Sequence, residues 1–479
     1  MTPSGSGFLF AKTDSLGDQL LATGLVDALA ALRRGLVIWC VRPGYETIGQ
    51  ILPGSLIFRP DPRHAPTAEA QRLREAAARQ IGPWNTVVLL PVPFNGYRPW
   101  SEQGQTPAQL TWWLALACAL EVETAIAGAV NLNWLDQALV LASAASCRVA
   151  ASPHESCVAI PPEVPVVLKA AGAPDAFTAA VTHDVERHES DNLAALFGAA
   201  TGMDGPAAPP STLDISHWPV QGSRPRRILV APGAGDRERT PPVTVLADAV
   251  AALARPISGE TDIRLICGPA DQLACAKLST ALEERKMPAG LADFRHPDLP
   301  RLAALLAECD LLICLDTFIV HLASVVGTPA VAIYGGANRR RFHPRQGRVS
   351  IVQMSVACAG CEWDCRFDRR RCLTDVTADV IVAAARERLA DPAAPGKVIE
   401  PPSTIDPSEA ISALSRLRER REAGMGEICR RLDPWPRSVA GKLLDGAWRY
   451  LGQAIRRVRP AAKLDGARRS QSLEREEAP

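Results

Sequence analysis

Apolar residues run along most of this chain in short blocks separated by polar turns. Phe8–Ala11 is an apolar run that predicts a strand. The polar turn Thr13–Asp18 leads into a helical pattern over Gln19–Leu32. Leu36–Cys40 predicts the next strand and Thr86–Leu90 another, which ends in a loop holding Pro91, Asn95, Gly96, Arg98 and Trp100. Ala108–Ala145 reads as mainly helical. Strand and helix patterns in alternation predict an open, mostly parallel sheet with helices on its faces.

The segment from Asp204 to Arg226, rich in Pro, Gly and Ser, breaks the alternation, which then restarts. Strands are predicted at Ile228–Ala231, Asp262–Cys267, Leu311–Leu315 and Val331–Tyr334, and helices at Val243–Leu253, Asp271–Glu284, Leu299–Ala307 and Val320–Val326. This is a second doubly wound α/β unit. The organisation expected is a first domain over residues 1–205, a linker over 206–226 and a second domain over 227–391. Residues 392–479 form a linker (Pro392–Pro407), a charged helical extension and a tail, Ala467–Pro479, of disordered composition.

Composition narrows the class. At 479 residues, 47% hydrophobic and 22% charged, the chain fits a globular protein of two or three domains. A formal net charge of +1 provides no global field for nucleic acid. Leu110–Leu120, the most apolar stretch, is too short to span a bilayer, and Met1–Gly7 lacks the features of a secretory signal. Most of the thirteen cysteines lie singly, several within apolar runs, as reduced residues of a cytosolic protein do.

Three loops at the carboxyl ends of predicted strands hold the candidate chemistry: Lys12–Asp18, Ala231–Arg239 and Asp316–Ala323. In open α/β sheets ligands bind at this edge. Asp316, Thr317 and His321 sit between a strand and a helix start, where free N–H groups and the helix dipole favour a phosphate. Taken singly each signal has a plain alternative: Asp18 as a helix cap, Pro232–Gly235 as a tight turn, His321 as a core residue.

Four segments together resemble glycosyltransferase family 9, the heptosyltransferases of lipopolysaccharide core synthesis. They are Ser15-Leu16-Gly17-Asp18; Pro232-Gly233-Ala234-Gly235 with Arg239; Asp316-Thr317 with His321-Leu322-Ala323, Gly327-Thr328-Pro329 and Tyr334-Gly335-Gly336; and the cysteines Cys358, Cys361, Cys365 and Cys372. The resemblance implies a GT-B fold, in which two Rossmann-like domains face across a cleft, with acceptor on the first and nucleotide sugar on the second. It implies inverting transfer with no required cofactor or metal, and the absence of any Asp-x-Asp motif agrees. Asp18 is then the base that takes the acceptor hydroxyl proton. Gly233, Ala234, Gly235, Arg239, Asp316, Thr317, His321 and Gly335 form the donor site, with His321 reaching a phosphate or orienting Asp316. Arg98 is a candidate for the acceptor. Two positions depart from the family pattern: Phe318 where Gly is common, and Arg239 where Lys is usual.

The four clustered cysteines are a candidate for a structural zinc; the other reading is a packed, reduced loop. Leu444, Trp448, Leu451, Ile455 and Val458 form one apolar helical face with basic neighbours. That face either lies on the cytoplasmic side of a membrane, where a lipid-linked acceptor resides, or docks on protein. The leading expectation is a glycosyltransferase using ADP-heptose or a similar donor. The alternatives are a nucleotide-sugar epimerase of the same architecture and a non-catalytic nucleotide-sugar or glycan-binding protein.

Overall fold

The computed structural model describes residues 7–96, 103–128, 133–151, 177–182, 184, 187–205, 226–234, 239–254, 261–287, 289–294, 298–337, 340–356, 358–359, 365, 367, 369–402, 408 and 412. The chain divides into two compact units, residues 1–153 with 158–405, and residues 154–157 with 406–479. Both α/β lobes belong to the first unit. The expected linker over 206–226 falls outside the described residues but for Arg226, and so do Arg98, Trp100 and the apolar face from Leu444 to Val458. Among the described residues no helix is long and apolar enough to cross a membrane.

The first lobe contains β1 (Phe8–Ala11), α1 (Leu16–Ala31), β2 (Val37–Val41), a 3-10 helix (Tyr45–Ile51), β3 (Leu56–Ile57), α2 (Pro66–Ala77), β4 (Val87–Pro91), α3 (Pro107–Ala119), β5 (Thr124–Ala127), α4 (Trp134–Ala142), β6 (Cys147–Ala151), β7 (Ala179–Val181) and α5 (Glu189–Thr201). The second contains β8 (Arg226–Val230), α6 (Val243–Ala254), β9 (Thr261–Cys267), α7 (Gln272–Glu284), β10 (Gly290–Asp293), α8 (Leu299–Ala307), β11 (Leu311–Leu315), α9 (Phe318–Val326), β12 (Ala330–Tyr334), β13 (Val349–Gln353), α10 (Arg371–Thr374), α11 (Ala378–Ala390) and β14 (Val398–Ile399).

Each lobe is one parallel sheet, ordered β3-β4-β2-β1-β5-β6-β7 and β10-β9-β8-β11-β12-β13-β14. The central strands β1, β11 and β12 are buried at every position, so they read as unbroken apolar runs rather than alternating ones. In both sheets the strand order reverses beside the lobe's first strand, between β1 and β5 and between β8 and β11. Loops diverge at such a switch point and leave a crevice at the carboxyl edge.

The structure shifts several boundaries. α1 begins at Leu16, so Asp18 lies inside the helix and not in the preceding turn. Ser15 and Asp18 close a capping box that starts the helix early. The stretch 108–145 is not continuously helical, because β5 pairs with β1 between α3 and α4. β14 lies within the expected linker and extends the second sheet by pairing with β13.

The lobes share one apolar cluster. Leu20 and Leu25 of α1 and Ile48 and Ile51 of the 3-10 helix join Leu302 and Leu306 of α8 and Ile319 and Leu322 of α9. Gln50 Oε1 accepts a hydrogen bond from the Leu299 N–H at 3.2 Å, which satisfies one orphan donor at the start of α8. Leu306 is fully buried in this cluster. Leu306→Ala is expected to cost roughly 2–5 kcal/mol in urea denaturation; a loss below about 1 kcal/mol would show that the seam contributes little to stability.

Candidate functional site

The loop after β1 is built before α1 begins. The Thr13 N–H and hydroxyl both donate to Asp136 Oδ1, at 3.1 and 2.7 Å, and the Asn133 amide donates to Thr13 Oγ1 at 2.6 Å. Asn133 also caps α4, so the switch-point helix and the β1 loop hold each other in place. At the start of α1, Asp18 Oδ2 accepts from the Ser15 hydroxyl at 2.6 Å and from its N–H at 3.3 Å. Asp18 is half-buried. The box engages Oδ2, and no described residue donates to Oδ1.

The N-terminus of α1 lies on that of α9. A β-carbon at Gly17 would sit 3.2 Å from His321 Cδ2 and 3.6 Å from Phe318 Cα. This contact brings the loop after β1 to the loop after β11. Asp316, whose N–H bonds the Ile333 carbonyl at 3.2 Å, directly follows β11. Protein surrounds Asp316 although part of its surface stays open to solvent. Burial pushes its pKa up to about 7, Arg239 opposes the rise, and the negative charge of Asp18 adds to it. Asp18, Asp316 and Arg239 therefore share one electrostatic field.

Thr317 holds the N-cap position of α9 in extended backbone, and its hydroxyl caps nothing. The Val320 N–H bonds the Thr317 carbonyl at 3.2 Å. The phenyl group of Phe318 packs on the shared apolar cluster, so its bulk is taken up in the seam between the lobes.

His321 is buried against Gly17. Burial and the neighbouring His188 and His343 lower its pKa to about 3, so it is neutral near pH 7. His343 is lowered to about 4 by burial, with Arg340 and His188 adding. The His188 ring donates from Nε2 to the His343 carbonyl at 2.7 Å and accepts the Ser190 N–H at Nδ1, which assigns the neutral tautomer.

On the second lobe, Gly233 is the closest approach. A β-carbon there would lie 2.0 Å from Asp271 Oδ1, so the space left by the missing side chain is filled by that carboxylate. Ala234 is buried beside it, and Gly235 lies outside the described residues. Asp271 belongs to no motif of the sequence. It stands at the cap position of α7 and makes no cap hydrogen bond, and burial raises its pKa. The Gly335 carbonyl accepts the Gln353 amide at 2.8 Å, which gives this glycine a structural partner.

The cysteine cluster is only partly described, since Cys361 falls outside. Cys358, Cys365 and Cys372 carry no disulfide, and burial raises the Cys372 thiol. Among the described residues no group of three or more His, Cys, Asp or Glu side chains is placed to hold a metal.

The histidines make a checkable statement about pH. Their folded pKa values lie below the ordinary 6.5, so the unfolded chain takes up protons first on acidification. Their stabilisation is present above 6.5 and is lost as pH falls toward the folded values. At pH 5 each should cost about 2 kcal/mol relative to pH 7. Asp316 works in the opposite sense, because its raised pKa favours folding on acidification. The test is therefore the difference between wild type and His343→Gln in urea at pH 7 and pH 5. The variant should lose less stability than wild type over that interval, and equal losses would contradict the assignment.

Residues 236–368 match the family model of glycosyltransferase family 9 (heptosyltransferase). No curated protein sequence matches the chain. A family 9 glycosyltransferase from Veillonella parvula DSM 2008 is similar in fold, at 15% identity and TM-score 0.53, over 82% of this chain and 99% of that one. ADP-heptose LPS heptosyltransferase II of E. coli is similar at 13% identity and TM-score 0.53, over 81% of this chain and all (100%) of its own. The two parallel α/β lobes are thus a GT-B fold. The family match spans the loops after β11 and β12, so the second lobe of this chain is similar to glycosyltransferase family 9 across its candidate site.

Proposed function

We propose that this chain transfers a sugar, heptose by family default, from a nucleotide diphosphate sugar to a hydroxyl of a lipopolysaccharide-core or related surface glycan, with inversion and without a required metal. The observation that carries the reading is the shared field of Asp18, Asp316 and Arg239 where the two lobes meet. Asp18 has the position and the free carboxylate oxygen to take the acceptor proton as its oxygen attacks the sugar. The bond to the diphosphate then breaks, and its negative charge develops beside Arg239, the Thr317 hydroxyl and the first N–H groups of α9. Asp316, near half-protonated at neutral pH, can donate to one ligand oxygen and accept from a sugar hydroxyl. Asp271 under the Gly233 turn adds a further acceptor for donor hydroxyls.

A lipid-linked acceptor fits this reading. The apolar face from Leu444 to Val458 is the sequence element that would hold the chain at the inner face of the cytoplasmic membrane. A thermal-shift screen against ADP-, UDP-, GDP- and dTDP-sugars, followed by acceptor-dependent nucleotide release, tests the reaction. Asp18→Ala should keep nucleotide binding and lose transfer by at least ~100-fold. Normal transfer by Asp18→Ala would overturn the assignment of the base, and donor binding without any release would favour a binding protein.

Asp316 predicts a pH dependence of donor binding. As pH rises through about 7 this carboxyl ionises next to the diphosphate, so ADP affinity should fall severalfold between pH 6 and 8. Asp316→Asn should flatten that profile in calorimetric titrations. An unaltered slope in the variant would place the titrating group elsewhere.

A further inference from the structure

A row of alternating charges is buried between the two lobes, and the chemistry proposed above does not use it. Lys12, directly after β1, is fully buried. Its Nζ lies 2.6 Å from Asp14 Oδ2, 3.2 Å from the Gly128 carbonyl and 3.6 Å from Glu189 Oε1. Glu189 opens α5, and its other oxygen accepts from Arg341 Nε and Nη2 at 3.1 and 3.0 Å. The side chains of Lys12, Glu189 and Arg341 are 0%, 1% and 4% exposed and that of Asp14 10%, so the row is buried along its length. It reads Asp14, Lys12, Glu189, Arg341, with signs alternating.

The two ends lie on different lobes. Asp14 belongs to the loop that leads into α1, where Asp18 sits, and is also held by the Gln19 amide at 3.1 Å. Arg341 belongs to the segment after β12. That segment is clamped to the start of α5 by three further contacts. The Glu189 N–H bonds the Arg341 carbonyl at 3.0 Å, His188 bonds the His343 carbonyl at 2.7 Å, and Arg345 pairs with Asp191 at 2.5 Å.

Four buried ions are a poor way to gain stability, because desolvation offsets their attraction and apolar side chains of equal volume do as well or better. What they supply is register: a displaced buried charge loses the opposite charges that compensate it. The row also acts on Asp18, since Lys12 and Asp14 both feel its charge.

We propose that Lys12 is a positioning residue for transfer, which holds Asp14 and the start of α1 in register with the second lobe through Glu189 and Arg341 and sets the field at Asp18. This rests on Asp18 being the base. With Lys12 gone, Asp14 and Glu189 face Asp18 without their shared cation, and the loop loses its tie to α5.

The test uses the full chain with ADP-heptose as donor, a heptose-free lipopolysaccharide core as acceptor, and ADP for binding. Lys12→Met should bind ADP within about twofold of wild type and lose kcat by on the order of 10–100-fold, as small misplacement of a catalytic group does. The acid limb of its kcat/KM profile should move up by about one pH unit. Lys12→Arg should return the limb to its original place. Glu189→Gln keeps the shape and removes one negative charge, so its limb should move to lower pH while kcat falls. Hydrogen exchange in that variant should rise together in residues 12–18 and 340–345.

If both Lys12→Met and Glu189→Gln keep the wild-type limb and change only thermal stability, the row is merely structural and the proposal fails. If Lys12→Met does not fold, Glu189→Gln alone decides by the same limb and exchange readouts. The base assignment fails separately, through an active Asp18→Ala, whereas an inactive Asp18→Ala beside unshifted limbs overturns only the role of Lys12.

Discussion

The approach of α1 to α9 at Gly17 is the contact on which the rest depends. With 3.2 Å left between a would-be β-carbon and His321, glycine is what lets one helix start lie on the other. Asp18 follows Gly17 and Asp316 precedes the start of α9 by two residues, so this one contact puts two carboxyls from different lobes into a common field. Two helix N-termini meeting there also bring their partial positive charges together. The carboxyls answer that charge.

Apolar and ionic groups divide the work at the seam. Leu306, Leu302, Ile51 and Leu20 supply attraction that is large but indifferent to small slips. The Lys12–Glu189–Arg341 row supplies little net attraction but tolerates no slip. The histidines stay neutral because burial removes water from their charged forms. His321 is one of these neutral rings, packed in the seam beside Gly17.

Much of the fold was legible because both sheets repeat short apolar runs followed by amphipathic helices. The misses have physical causes. Thr13–Asp18 reads as a turn because it is polar, yet the Ser15-x-x-Asp18 spacing is itself a helix-start signature, and the box it forms pulls Asp18 into α1. β5 is four residues of Thr and Ala-rich sequence beside long helical runs, where period alone cannot separate strand from helix. β14 is two residues in a Pro-rich stretch and exists only by pairing with β13. The chain's own motifs pointed to Asp18, Arg239, Asp316 and Thr317 as candidates, whereas Asp271, which the structure places under Gly233, carried no signal beyond its place near a helix start.

Local order along the chain determined the strands, the turns at their carboxyl ends and the polar groups those turns carry, because these depend on neighbours a few residues apart. The tertiary structure alone decided which of those groups meet, which are neutral and which are paired. Thr13 finds Asp136 across 123 residues and Arg341 finds Glu189 across 152. Partners so distant, and the desolvation that shifts a pKa, are properties of packing between elements, and no local pattern encodes them.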